Sequence, residues 1–491
     1  MNRKLVTAVM VLSLLLGAGA MYVGLQVFGD SPVSTTTSPN SSNENSNAKK
    51  EKEVVINVDE QMKKIQQAFE LISTEYVEQV DQMELIEGAI QGMVSTLEDP
   101  YSTYMDKDTA EQFTQSLESS FEGIGAEVGM QNGKVTIISP FRDSPAEKAG
   151  LQPNDQIIKV DDEDIAGLDL YQAVLKIRGE KGTVVKLEVE RPGVNESFVV
   201  NVTRDTIPLD TVYSKTFEQD GKTIGYIQIT SFAQETSADF QDQLNELEKS
   251  GIDGLIIDVR GNPGGLLDQV QTISSEFITK DKPYVQIEQR NGEKQRYFSS
   301  LTEEKSYPIV ALIDKGSASA SEILAGALKE AGGYDIIGEA SFGKGTVQQA
   351  VPFTDGSNIK LTRYKWLTPD GNWIHNDGVT PTIEVRQPDY FYASPIVLED
   401  GEELVFDSNN EKVKNVQVML RGLGLEPGRA DGYFSKQTEE VIRQFQKDKG
   451  ISVTGKVNSE TAELIQTDLL EAVRAEENDA QLQEAIKVLG R

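Results

Sequence analysis

The chain has no cysteine and a single histidine, His375, in 491 residues. The absence of cysteine excludes disulfides, a thiol nucleophile and Cys-bearing metal sites, and one histidine makes a zinc centre a poor expectation. A Ser-His-Asp triad would have to be built on His375 alone. Cations are also scarce: Lys and Arg number 47 against 79 Asp and Glu, a formal charge of −32. Neutralising phosphates needs clustered cations, so no nucleic acid is expected as a partner, and flat adsorption to an anionic membrane is disfavoured. What this composition still permits is hydrolysis by a serine that a lysine activates. No metal and no cofactor is expected.

Long apolar runs are confined to the start of the chain. Arg3-Lys4 precede Leu5 to Phe28, which carries no charge. That is about 24 residues, and roughly 20 cross a bilayer as a helix. Positive charge ahead of the run favours export of the chain beyond it, which makes the protein extracytoplasmic. Residues 1–29 are read as a signal anchor in the membrane; cleavage near Ala20, after Ala18-Gly19-Ala20, would instead release the protein. With no cysteine after the run, a lipoprotein anchor is excluded. Residues 30–57, rich in Ser, Thr, Asn and Pro, read as a disordered linker.

Beyond the linker the periodicity changes several times. Residues 58–117 show helical spacing (Ile65, Phe69, Ile72; then Ile86, Ile90, Met93, Leu97) and end in the turn Asp99-Pro100-Tyr101-Ser102. Residues 118–205 carry short strands such as Val135–Ile138, Asp155–Val160 and Val184–Val189. From 206 to 395 strands and helices alternate, with strands expected at Thr223–Ile229, Gly254–Val259, Ile309–Ile313 and Thr346–Pro352, and helices at Thr236–Lys249 and Ala320–Ala331. Residues 396–470 form a small helical unit, and 471–491 a charged helical tail. The fold class is therefore multidomain α/β and α+β: a mixed α/β core with an inserted strand-rich domain, an N-terminal helical segment and a small all-α C-terminal domain.

Chemistry concentrates in three segments of the core. Strand Ile309–Ile313 runs into Gly316-Ser317-Ala318-Ser319-Ala320-Ser321-Glu322, which opens a helix, where exposed backbone N–H groups can stabilise an oxyanion. Spacing alone does not choose between Ser317, Ser319 and Ser321. About twenty residues later comes Phe342-Gly343-Lys344-Gly345-Thr346-Val347-Gln348. A lysine is a general base only when neutral, so burial must lower its pKa by several units from about 10.4. The two-residue strand period would put Lys344, Thr346 and Gln348 on one face, so that Gln348 orients the amine. The third segment, Asp258-Val259-Arg260-Gly261-Asn262-Pro263-Gly264-Gly265, frees backbone N–H groups for a second oxyanion donor; Asp258 and Arg260 read as pinning its turn. It lacks the Gly-Lys-Ser/Thr ending of a phosphate loop.

Together these segments closely resemble the C-terminal processing peptidases, or tail-specific proteases, of the Gram-positive, Bacillus-like kind. The likeness takes in Glu87-Gly88-Ala89-Ile90, Thr368-Pro369-Asp370-Gly371 and Gly378-Val379-Thr380-Pro381, and spans about residues 58–390. It implies a serine endopeptidase with Ser319 as nucleophile, Lys344 as base, Gln348 as its orienting partner, and an oxyanion site at the amides of Ala320, Gly264 and Gly265. The strand-rich insert resembles a PDZ domain, whose peptide-binding residues map to Gly123-Ile124-Gly125-Ala126, with Ile124 and Val128 lining a groove for apolar C-termini. By the same resemblance Arg178 couples this domain to the active site. The last unit resembles a peptidoglycan-binding domain, on Leu423-Gly424, Asp431-Gly432-Tyr433-Phe434 and Gly450-Ile451-Ser452-Val453-Thr454-Gly455. Expected partners are proteins with exposed C-terminal tails, peptidoglycan, the membrane and a second copy in a homodimer. The competing reading is a catalytically silent PDZ and wall-binding scaffold.

Overall fold

The computed structural model describes residues 58–491 apart from 119, 132, 142–143, 153, 169, 192–195 and 400; the expected membrane anchor and linker lie outside the described residues. Among the described residues no helix is long and apolar enough to cross a membrane. The chain divides into two compact units.

The smaller unit comprises residues 58–114, 289–293 and 346–365. Its helices Val58–Glu75 and Gln82–Ser95 bury no residue completely, and Asp81 caps the second by accepting from Met83 N and Glu84 N. Strand Asn358–Leu367 pairs antiparallel with Thr103–Met105 and with Thr346–Pro352.

In the larger unit the strand-rich domain is an antiparallel sheet ordered Ala126–Gln131, Lys134–Pro140, Gln156–Val160, Val184–Glu190, Phe198–Thr203. Alternation along Val184–Glu190 puts Val185, Leu187 and Val189 inward, all fully buried. Helix Leu170–Ile177 ends against Arg204, a buried guanidinium that donates to the carbonyls of Ile177 (2.8 Å) and Lys176 (3.1 Å) and so satisfies the helix's last acceptors.

The core of the larger unit is a six-stranded sheet in sequence order: β1 Val212–Gln219, β2 Lys222–Ile229, β3 Gly254–Asp258, β4 Ile309–Ile313, β5 Asp335–Gly338 and β6 Ile383–Glu384. Only β1–β2 is antiparallel; the other pairs are parallel. Helices α1 Thr236–Ser250, α2 Leu267–Ser275 and α3 Ala320–Gly326 follow β2, β3 and β4, and α3 runs on as a π-helical turn, Ala327–Ala331. Strands β3 and β4 are buried at every position, as a parallel sheet covered on both faces requires.

One of those covers was not expected. The tail does not trail away: helix α4, Ala480–Gly490, returns to the sheet and buries Leu482, Ala485, Ile486 and Leu489 against Ile224, Tyr226, Ile256, Val310, Leu312 and Ile337. Its charged residues hid an amphipathic stripe at positions 482, 485, 486 and 489, which is helical spacing. In sequence, between β6 and α4, comes a helical domain of Glu411–Gly422, Lys436–Asp448 and Ser459–Arg474, whose N-caps Asn410, Ser435 and Asn458 each accept from the backbone three residues on. Its core gathers Val413, Leu420, Phe434, Ile442, Phe445, Val457 and Ile465, with Leu425 packed at its margin.

Candidate active site

The C-terminal ends of β3 and β4 deliver two loops to one place, the position where open α/β sheets bind ligands. Asn262, fully buried, joins them. Its Nδ2 donates to Ile229 O and its Oδ1 accepts from Gly264 N, both at 2.8 Å, while its carbonyl accepts from Ala318 N (3.0 Å) and Ser321 Oγ (2.9 Å). The loops touch closely: a Cβ on Gly264, whose φ is +103°, would stand 2.9 Å from Ser319 Cβ and 3.0 Å from Ala320 N. Only glycine fits there.

The three serines that spacing left equivalent are sorted by burial. Ser317 and Ser321 are fully buried, and their hydroxyls donate to Val259 O (2.8 Å) and Asn262 O (2.9 Å). Ser319 alone keeps partial exposure. It stands as N-cap of α3 with φ +55° and ψ −110°, a conformation that costs a non-glycine residue roughly 1–3 kcal/mol. A sharp, strained strand-to-helix turn of this kind lifts a serine side chain clear of its neighbours.

Glu322 holds that turn. Fully buried, it accepts four hydrogen bonds: Oε2 from Ser319 N and Lys344 N, both at 2.8 Å, and Oε1 from Gly343 N (2.7 Å) and Ser341 Oγ (2.6 Å). One carboxylate thus fastens the serine loop to the lysine loop. Sequence reading passed Glu322 over, although its place three residues after an N-cap serine is the spacing of a capping box. The lysine loop is fixed from its other side by both of the chain's tryptophans. Trp366 Nε1 donates to Lys344 O and Trp373 Nε1 to Gly345 O, each at 2.8 Å. His375 stacks on Trp373 and its Nδ1 accepts from Gly345 N at 3.3 Å.

Lys344 itself is half-buried and precedes the strand, which begins only at Thr346. The alternation invoked for Lys344, Thr346 and Gln348 therefore holds for the last two alone. In the smaller unit Gln348 Nε2 donates to Thr346 Oγ1 and Thr362 Oγ1, both at 3.0 Å. Thr362 N donates to Ser102 Oγ (3.0 Å), which donates to Asp99 Oδ2 (2.6 Å), so the Asp-Pro-Tyr-Ser turn braces the strand beside Gln348.

Of the three amides expected at an oxyanion site, that of Gly264 is engaged with Asn262 Oδ1. Ala320 occupies the first helical position, whose N–H has no acceptor within its helix. Gly265, at φ +146°, lies so close to Phe232 that a Cβ would stand 2.2 Å from its carbonyl oxygen.

Residues 223–385 match peptidase family S41, 123–202 a PDZ domain, 409–465 a putative peptidoglycan binding domain, and 14–109 the activating protease CtpB N-terminal domain. The carboxy-terminal processing protease CtpB of Bacillus subtilis (strain 168) is 53% identical over 489 residues, 100% of this chain and 99% of that protein. The chain belongs to peptidase family S41. A second relative of this S41 protease, the carboxy-terminal processing protease CtpA of the same organism, is 42% identical over 431 residues, 88% of this chain and 91% of that one. Among solved structures, a photosystem II D1 C-terminal processing protease aligns at TM-score 0.40 and 27% identity, over 66% of this chain and 92% of that one. By its family and its two Bacillus subtilis relatives, the protein is a carboxy-terminal processing protease of the serine type with a PDZ domain.

In that PDZ domain Gly125 takes φ +72° with Ser144 Cβ 2.6 Å from where a Cβ would be, so the loop from Gly123 to Ala126 depends on glycine there. Its carbonyls are tied down, Ile124 O by Ala146 N (2.8 Å) and Gly125 O by Phe141 N (2.9 Å). Ile124, expected along a groove, is 3% exposed and packs into the domain core, with Val128 partly buried against that core. Arg178, just past helix Leu170–Ile177, lays its guanidinium 4.6 Å from the Phe121 ring centre and donates to Gln115 Oε1 at 3.0 Å.

Proposed function

We propose that this S41 protease works outside the cytoplasm and hydrolyses peptide bonds with Ser319, Lys344 and Gln348. Neutral Lys344 takes the Ser319 hydroxyl proton as Oγ attacks the scissile carbonyl. The tetrahedral oxyanion is met by the amides of Ala320 and Gly265, with Gly264 making room for it. Lys344 then returns the proton to the leaving amine, and the acyl-enzyme is hydrolysed by a water that Lys344 deprotonates. Gln348 orients the lysine amine. The observation that carries this reading is the conformation of Ser319 at the mouth of the Glu322 clamp, between two serines whose hydroxyls are committed to carbonyls.

Substrates are proteins with exposed C-terminal tails. The tail adds a strand to the PDZ domain and its carboxylate meets the amides of Gly123 to Ala126, while Arg178 relays occupancy to the site. Residues 409–465 hold the enzyme against peptidoglycan, residues 5–28 anchor it in the membrane unless cleavage near Ala20 frees it, and two copies form a homodimer. The role is regulated proteolysis at the cell envelope.

The test is cleavage of an unfolded protein with an apolar C-terminus by the full chain, by Ser319→Ala and by Lys344→Ala. Both variants should be inactive and folded. Undiminished cleavage by Ser319→Ala would remove the reading, and a Ser319→Ala protein that still performs the cellular task would favour the silent scaffold.

A further inference from the structure

The loop carrying Gly264 and Gly265 is held from behind by a residue whose partners come from the far end of the chain. Arg260, 14% exposed, uses all five of its N–H donors. Nε and Nη2 grip Asp258, at 3.0 and 2.7 Å; Nη1 donates to Asp479 Oδ1 (2.8 Å) and Gln481 Oε1 (3.0 Å), and Nη2 also to Asp479 Oδ2 (2.7 Å). Two carboxylates on one buried guanidinium make a bidentate arrangement of fixed geometry. Both tail residues are themselves fixed to the exit of β6. Gln387 donates to Asp479 Oδ1 at 2.6 Å and accepts from Ala480 N at 3.0 Å, and Gln481 Nε2 donates to Val385 O at 2.9 Å.

The path from this anchor to the catalytic loop is short. Gly261, the next residue, donates its N–H to Asp314 Oδ1, which also accepts from Gly316 N in the serine loop, at 2.8 and 2.9 Å. A Cβ on Gly316 would stand 2.8 Å from Gly261 Cα, so the two loops cannot shift independently. The family match to the peptidase core ends at 385, well before these tail residues.

We infer that Asp479 and Gln481 are positioning residues for peptide hydrolysis, fixing through Arg260 the turn that sets Gly264 and Gly265 against Ser319. The inference rests on Ser319 being the nucleophile. It makes the start of α4 part of the support of the catalytic loop, and it places the peptidoglycan-binding domain between two segments, 385–387 and 479–481, that meet behind the oxyanion turn.

Asp479→Asn keeps the shape and removes the charge-assisted grip. In the full chain, assayed on an internally quenched peptide with an apolar C-terminus, it should lower kcat by about tenfold or more and leave KM within about twofold, because a small misplacement near the chemistry is costly. Asp479→Glu, which keeps a carboxylate, should recover part of the loss. Leu489→Ala, which loosens α4 without touching Arg260, should lower the melting temperature and leave kcat within about twofold. If Asp479→Asn does not fold, Gln481→Ala should show the same kcat loss at about threefold or more. The inference fails if Gln481→Ala, and Asp479→Asn where it folds, keep kcat within about twofold of the parent, or if Leu489→Ala loses as much kcat as they do. Ser319→Ala separates the two levels. Should it cleave at the parent rate, both this inference and the proposed mechanism fall; should it be inactive while the tail variants are unaffected, only the inference does.

Discussion

The backbone N–H of Ser319 donates to the Glu322 carboxylate at 2.8 Å, and the same oxygen accepts the backbone N–H of Lys344 at 2.8 Å. Neither residue could be held where it is by its own loop. Ser319 sits in a region of backbone space that non-glycine residues avoid, and the Lys344 loop contains Gly343 at φ +93°. A buried anion surrounded by four donors supplies the restraint for both.

Glu322→Gln should therefore be a severe change despite its matched shape. An amide presents one oxygen to four donors and aims its own NH2 at two of them, leaving buried groups unpaired at about 1–3 kcal/mol each. We expect a folded protein of lower melting temperature and a kcat about 100-fold or more below the parent. A kcat within a factor of about three would show that the clamp is dispensable.

Strain at Ser319 has its own signature. Ser319→Ala keeps the side-chain carbon and the strained backbone, whereas Ser319→Gly relieves it. Both remove the hydroxyl and should be inactive, and the glycine variant should be more stable than the alanine variant by about 1 kcal/mol in urea unfolding. Equal stabilities would mean that the φ of +55° carries no cost.

Much of this architecture was legible beforehand. Strand Ile309–Ile313 falls where periodicity put it, because a buried parallel strand is a near-continuous apolar run, and the antiparallel, mostly exposed strand Thr346–Pro352 does so because glycines mark the turn before it. Helix Ala320–Ala331 was expected as one piece and is α-helical only to Gly326, a change of hydrogen-bond register that composition does not encode. Spacing could not tell Ser319 from Ser317 and Ser321, since its exposure, its positive φ and the carbonyls the other two reach are all set by the fold. Glu322 looked like an ordinary helix-start acid. The docking of α4 was missed for a similar reason: Asp479 and Gln481 gain meaning only from Arg260, which lies 219 and 221 residues away in sequence.

Ser102 tests the brace beside Gln348. Its hydroxyl accepts from Thr362 N and donates to Asp99, and Thr362 Oγ1 in turn accepts from Gln348. Ser102→Ala removes the acceptor of the partly buried Thr362 N–H and should lower kcat by about three- to tenfold with KM nearly unchanged. A rate equal to the parent would separate that turn from catalysis.

Arg178 tests the coupling of the PDZ domain to the site. Its stacking on Phe121 and its bond to Gln115 place it at the foot of the loop that begins at Gly123. Arg178→Ala should slow cleavage of a substrate with a free apolar tail and leave the melting temperature within a few degrees. An unchanged rate on that substrate would remove Arg178 from the relay.

Asp479 should leave a mark on acid stability. Burial works to raise its pKa, but hydrogen bonds and charge from Arg260 outweigh that and hold the carboxyl below its ordinary range. In the unfolded chain it titrates near the ordinary value, about 3.9. Its contribution to stability is then complete above that value and is lost as pH falls through the lower native one, because the unfolded state binds the proton first. The urea midpoint of the parent should therefore drop more steeply below about pH 4 than that of Asp479→Asn, which has no proton to take up there. Parallel curves for the two proteins would mean that the Arg260–Asp479 pair does not hold α4 to the core. The difference between the curves measures how strongly the tail grips the turn behind Ser319.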